Sequence, residues 1–239
     1  MSKVPRIRMF AGPNGSGKSC LKNYVNERWI GVYVNADEIE KELSSDKGLE
    51  LNRYKIDYSD AEFMQRYSQS TLANKIDLSK VHLKHGVIKV SKQHINSYYA
   101  SILASVIRDY LLEHKISFSF ETVMSHASKV ELLLDARKRG YRTYLYYIAT
   151  ASPEINVNRV AIRVSQGGHP VPEDKIISRY HRSINLLKEA MKASDRSFIF
   201  DNSGEKEIWI AEGKDGSSLE FREHLVPRWF LDTMGIDIQ

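Results

Sequence analysis

The 239-residue sequence predicts an α/β fold: a five-stranded parallel sheet with helices on both faces, a helical lid, an inserted segment and a C-terminal β-hairpin. Three observations predict it. Short apolar runs of strand type alternate with helical stretches along most of the chain. A glycine-rich loop joins the first such run to a helical one. Polar groups recur at the ends of successive strands, the side on which an open parallel sheet receives its ligand.

The first strand candidate is Arg6–Ala11. It leads into Gly12-Pro13-Asn14-Gly15-Ser16-Gly17-Lys18-Ser19, which fits G-x-x-x-x-G-K-[ST], the phosphate-binding P-loop. Gly15 and Gly17 let the backbone turn without a Cβ clash, so successive N–H groups face phosphate oxygens. A helix starting near Lys18 would add its positive end. Lys18 should reach the β- and γ-phosphates, and Ser19 should hold Mg²⁺ through its hydroxyl. Cys20 closes the nucleotide-binding stretch; its thiol reads as helix packing rather than chemistry. The loop implies a nucleoside triphosphate such as ATP and leaves the phosphate acceptor open.

Composition bounds the rest. Hydrophobic residues make up 42% and charged residues 27%, as in an ordinary globular protein. A single cysteine excludes an internal disulfide and fits a reducing cytoplasm. No apolar run is long enough to span a bilayer, and the start does not read as a signal peptide. The net charge of +5 suits anionic partners.

Gly31–Asn35 is the second strand candidate, and Asp37 follows its end. That carboxylate could take a proton from an acceptor hydroxyl or cap a helix over 38–43, and the two roles are compatible. Residues 44–100 read as an insertion: a loop near Gly48, a helix from Asp60 to about Ala73, and a small hairpin over Val81–Val90 turning at His85-Gly86. His82, His85 and His94 match no common zinc spacing. Apolar spacing from Ile95 to Glu113 predicts a helix packed on a core.

Ile116–Phe120 is the third strand candidate, ending in Glu121 and Thr122. These side chains could bind an acceptor hydroxyl or a magnesium-bound water, or stabilise the loop. Ser128-Lys-Val-Glu131 is a capping box for a helix through Arg139, closed by Gly140. Arg142–Ala149 is the fourth strand. Ser152-Pro153 starts a helix carrying Arg159 and Arg163 on one face. The breaker Gly167–Pro172 separates it from a helix carrying Arg179 and Arg182. Two arginine-bearing helices over 153–192 form either a lid that closes over phosphates or ordinary salt-bridged surface helices. Arg196–Phe200 is the fifth strand, and the turn Asp201–Gly204 contacts a base or merely turns. Residues 205–222 read as a terminal hairpin, with Trp229 and Phe230 anchoring the tail. No linker marks a domain boundary, so the chain is expected to be one domain.

Several of these stretches together resemble the zeta toxin family of P-loop kinases, and more closely its chromosomal branch of predicted ATPases. They are the P-loop, Val34–Ile39, Phe118–Thr122, Arg159–Pro172, Ile177–Ser183 and Phe200–Ser203, in collinear order over most of the chain. The resemblance implies a nucleotide-kinase-like fold and phosphorylation of a UDP-activated amino sugar, UDP-N-acetylglucosamine, on its 3′-hydroxyl. It assigns Lys18 and Ser19 to the donor phosphates and magnesium, Asp37 to acceptor activation, and Glu121 and Thr122 to acceptor binding. Glu and Thr are adjacent here, whereas the family separates them by one residue. Arg163 and Arg179 match the lid arginines on the γ-phosphate, with Arg159 and Arg182 in reserve, and Asn202 lies near adenine. The resemblance also implies a possible antitoxin protein partner.

Two other classes compete with a small-molecule kinase. An ATP-dependent switch or ATPase acting on a protein partner would use the same loop and lid. Nucleic-acid processing would need a basic groove and an aromatic platform; the chain has neither a basic run nor an evident platform.

Overall fold

The computed structural model describes residues 4–237. In chain order the strands are β1 (Arg6–Ala11), β2 (Val32–Val34), β3 (Leu49–Glu50), β4 (Val81–Lys84), β5 (Val87–Val90), β6 (Phe118–Thr122), β7 (Arg142–Ala149), β8 (Arg196–Asp201), β9 (Ile208–Lys214) and β10 (Ser218–Phe221). The α-helices are α1 (Ala36–Leu43), α2 (Asp60–Ser68), α3 (Ser97–Glu113), α4 (Ser128–Lys138), α5 (Pro153–Ser165), α6 (Glu173–Lys192) and α7 (Arg228–Met234). The chain divides into two compact units. One comprises the residues up to Ile30 and from Glu121 onward; the other is Gly31–Phe120.

In the first unit, β1 and β8 both pair with β7 in parallel. Each buries a nearly continuous run, such as Ile7, Met9, Phe10 and Ala11 on β1, because a parallel strand is covered on both faces. The terminal hairpin forms as expected and extends the sheet: β9 is antiparallel to β8 and β10 to β9. Helices α4 and α6 pack on β7, and α5 packs on α6. The tail docks through α7, where Trp229 and Phe230 are buried and Trp229 Nε1 donates to Asp201 Oδ1 at 2.7 Å.

In the second unit, β2 runs parallel to β6 in the register Val32↔Phe118 and Val34↔Phe120, and α1 packs on α3. The 44–100 segment is ordered around a small antiparallel sheet, β3-β5-β4. Its hairpin turns at His85 (φ 50°) and Gly86 (φ 73°), the positive pair that a two-residue turn requires. The Asp60 carboxylate, in the first turn of α2, accepts the N–H groups of both residues at 2.9 and 3.1 Å. Helix α2 ends at Ser68, short of Ala73, and the chain continues in 3-10 turns.

Three local expectations are corrected. After the P-loop the chain forms a 3-10 turn over Lys18–Tyr24, not an α-helix. That stretch buries only Leu21, too little apolar face to hold a longer helix against a core. The positive end expected at the loop is therefore that of a short 3-10 turn rather than of an α-helix. Asn35, not Asp37, caps α1: its Oδ1 accepts the Asp37 N–H at 2.8 Å. Helix α4 starts without the Ser128 capping box, because the His126 ring accepts the Ser128 N–H at 3.2 Å and leaves Ser128 inside the helix.

Candidate active site

The donor loop leaves the C-terminal end of β1, which pairs with β7, and reaches the turn after β8 through Ser16 and Asn202. Gly15 (φ 78°) and Gly17 (φ 91°) take left-handed conformations on either side of Ser16, the alternation that turns successive N–H groups toward one centre. Ser16 is buried, and its hydroxyl donates to the Pro13 carbonyl at 2.9 Å. The Gly12 N–H reaches the Thr122 carbonyl at 3.3 Å. The Lys18 ammonium folds over the loop and donates to the Gly12 and Pro13 carbonyls, each at 2.9 Å. Ser19 is exposed just beyond Lys18, where a hydroxyl can serve a metal ion. The cradle thus fits a polyphosphate on two grounds, its glycine conformations and the cation folded over it.

Two amides that sequence reasoning did not place in this role hold the loop in shape. Asn156 of α5 is fully buried; its Nδ2 donates to the Asn14 carbonyl at 2.5 Å and its Oδ1 accepts from the Thr150 hydroxyl. A Cβ at Gly15 would lie 2.6 Å from the Asn156 carbonyl oxygen, so the helix backbone sits directly against the loop. From the other side the Asn202 Nδ2 donates to the Ser16 carbonyl at 2.9 Å. Asn202, expected near adenine, braces the loop through its amide, and a Cβ at Gly17 would lie 2.4 Å from it. The sequence signal for Asn156 was an amide four residues before Val160, on the buried face of α5.

The lid arginines differ in what they hold. Arg159 donates to the Asn202 and Gly204 carbonyls at 2.7 and 3.0 Å and ties α5 to the turn after β8. Arg163 is exposed and donates to the His169 carbonyl at 2.8 Å, which folds the Gly167–His169 breaker back on its own helix. The Arg182 Nε donates to the Ser178 carbonyl one turn back at 3.3 Å. Arg179 is half-buried and has no hydrogen bond or ion pair among the described residues, so of the four its guanidinium is the least engaged. It precedes Tyr180, which pins α6 by donating to the Thr150 carbonyl at 2.6 Å.

Glu121 and Thr122 are the last two residues of β6 rather than residues beyond it. The Glu121 carboxylate lies 4.0 Å from the Lys22 ammonium. The Thr122 hydroxyl accepts the Met124 N–H at 3.1 Å, which closes the turn after the strand. Cys20 is half-buried, and its thiol is pushed up to about 11 by burial and by the nearby Glu207 carboxylate, as suits a packing residue. Asp37, in the second unit, is exposed in the first turn of α1; the Asn35 cap frees its carboxylate from that duty.

The family model described as Zeta toxin matches residues 87–214, just over half of the chain. The match begins downstream of the P-loop, so the loop is separate evidence for the same reading. An uncharacterized protein of Haemophilus influenzae is 26% identical over 173 residues, 72% of this chain and 89% of that protein. The AvrRxo1-ORF1:AvrRxo1-ORF2 complex is similar in fold with sulphate ions (TM-score 0.55, 13% identity, 92% of this chain) and with ATP (TM-score 0.53, 12% identity, 92% of this chain). This chain spans only 62% and 61% of those longer chains. The PezAT chromosomal toxin-antitoxin system of Streptococcus pneumoniae has a TM-score of 0.50 and 14% identity, over 98% of this chain and 78% of that one. On the extent of the family match, with the P-loop upstream of it and the arginine-bearing helices within it, the chain belongs to the zeta toxin family of P-loop kinases.

Proposed function

We propose that the protein is an ATP-dependent small-molecule kinase that transfers the γ-phosphoryl group of ATP to a hydroxyl of a nucleotide-sugar-like acceptor. The observation that carries this reading is the donor loop, whose left-handed glycines are held by Asn156 and Asn202. Lys18 would leave the Gly12 and Pro13 carbonyls for the β- and γ-phosphates, a better counter-charge than neutral oxygens. The Ser19 hydroxyl would hold Mg²⁺, which when bound neutralises phosphate charge. Arg179, and Arg163 after release from His169, would stabilise charge on the transferred group. Asp37 would accept the acceptor's proton as the new O–P bond forms and the bond to ADP breaks. Glu121 would orient the acceptor. Thr122 would support that strand end through its backbone and turn contacts.

UDP-N-acetylglucosamine is the acceptor that the family resemblance suggests. An antitoxin partner is supported by PezAT, a toxin-antitoxin system. The deciding experiment is mass spectrometry of reactions with Mg-ATP and a panel of UDP-sugars and nucleotides. A gain of one phosphate on one panel member, lost in Lys18→Ala and in Asp37→Asn, is expected. ATP turnover without any phosphorylated product would overturn the kinase reading in favour of a nucleotide-driven switch.

A further inference from the structure

Most positions along the middle of α3 are buried, and one of them is a cation. Arg108 is only 9% exposed, yet it has no hydrogen bond or ion pair among the described residues. Its guanidinium carbon lies 5.3 Å from the centroid of the Phe120 ring. Burial lowers its pKa to about 10, with Asp109 opposing the shift, so the side chain stays charged at neutral pH. Contact with a phenyl face offsets part of the lost hydration of a guanidinium but supplies no counter-charge. A buried cation left in this condition costs stability, and an anionic ligand would remove that cost.

The surroundings of Arg108 give such a ligand a direction of approach. Ser101, Ser105 and Arg108 are spaced by four and three residues and share one face of α3. Both serines are half-exposed, unlike their apolar neighbours. Side chains on a helix lean toward its N-terminus, so a residue at position 108 covers the turn that holds Ser105. On the strand side, Phe120 stands opposite Val34 in the β2–β6 pair, and α1 with Asp37 begins two residues after Val34. Arg108 and Asp37 therefore belong to one unit, Arg108 beside Phe120 of β6 and Asp37 just after β2.

We propose that Arg108 is an acceptor-binding residue that receives a phosphate-type oxyanion on the molecule whose hydroxyl Asp37 activates. This rests on the kinase reading. A planar guanidinium pairs with such a group through two parallel hydrogen bonds, which a lysine cannot match. Arg108 would then select acceptors by their anionic part.

The test separates this proposal from the kinase reading. Thermal unfolding of the full chain is followed with and without inorganic pyrophosphate, free of magnesium, in a Lys18→Ala background that weakens anion binding at the donor loop. Pyrophosphate is expected to raise the midpoint. Adding Arg108→Met should raise the ligand-free midpoint and remove most of the increment; Arg108→Lys should keep only part of it. A lower ligand-free midpoint with the increment intact would make Arg108 a core residue and overturn the proposal. Should Arg108→Met not fold, an undiminished increment in Arg108→Lys overturns it equally. With a phosphorylated acceptor in hand, Arg108→Met in the otherwise native chain should raise the acceptor KM at least tenfold and leave the ATP KM unchanged; an unchanged acceptor KM counts against it. Absence of any acceptor would sink the kinase reading while the pyrophosphate result still decides whether Arg108 binds an oxyanion.

Discussion

Gly15 and Asp37 are the residues on which the chemistry is most exposed to test. At Gly15 both the positive φ and the 2.6 Å approach of the Asn156 carbonyl oxygen exclude a side chain. Gly15→Ala should lower stability by about 1–3 kcal/mol and weaken ATP binding at least tenfold, read by thermal unfolding and calorimetry. Unchanged affinity would show that the turn does not shape the donor site. Asp37→Asn keeps the size and the helix position but removes the proposed base. Acceptor phosphorylation should fall roughly 10²- to 10⁴-fold with ATP affinity retained. Cys20 makes a milder point about pH. Because its thiol is raised to about 11, it is protonated near neutrality, and its reaction with a disulfide reagent should speed up about tenfold per pH unit between pH 8 and 10. A rate that levels off near pH 8.5 would contradict the burial seen here.

Among the elements, α5 is less a free lid helix than a part of the donor site. Its first turns carry Asn156 against the loop and Arg159 against the turn after β8, whereas Arg163 near the other end donates to the carbonyl of its own breaker. Motion of the lid is therefore expected at the Arg163–Pro172 end, with the N-terminal half of α5 moving little. Asn156→Asp is the sharper probe of the fixed half, because a carboxylate cannot donate to the Asn14 carbonyl. It should cost about 1–3 kcal/mol of stability and raise the ATP KM more than it lowers kcat. A pure kcat effect would argue that Asn156 does not act through the loop.

Over the whole chain, distant segments meet at the donor site. The tail helix α7 sends Trp229 to Asp201, which also accepts from the Ser203 backbone and hydroxyl; the Ser203 hydroxyl in turn accepts the Ala151 N–H at 2.8 Å. The same turn holds Asn202 against Ser16. Trp229→Ala should cost about 3–5 kcal/mol, from the lost burial and the carboxylate left with one partner fewer. It should also raise the ATP KM although Trp229 is far along the chain from the loop. A destabilised variant with unchanged ATP KM would show that the tail supports the fold alone.

Much of this was legible in the amino-acid order, because it depends on neighbours in the chain. The P-loop, the parallel strands β1, β7 and β8, the helix start at Pro153, the His85-Gly86 turn and the terminal hairpin are each encoded by local residue type and period. What failed was also local in kind but was decided by competition. Ser128 had the spacing of a capping box, and the His126 ring took its N–H instead. Asn35 took the cap that Asp37 could have filled, and the stretch after Lys18 had too little apolar face to remain an α-helix. The supports of the site were not legible, because Asn156, Asn202 and Trp229 act on partners more than 25 residues away, and an amide or an indole carries no mark of which distant carbonyl or carboxylate it will meet. Arg108 is of the same kind. In sequence it is one charge on an apolar helix, and only the packing of that helix beside Phe120 leaves it buried without a hydrogen bond or ion pair among the described residues.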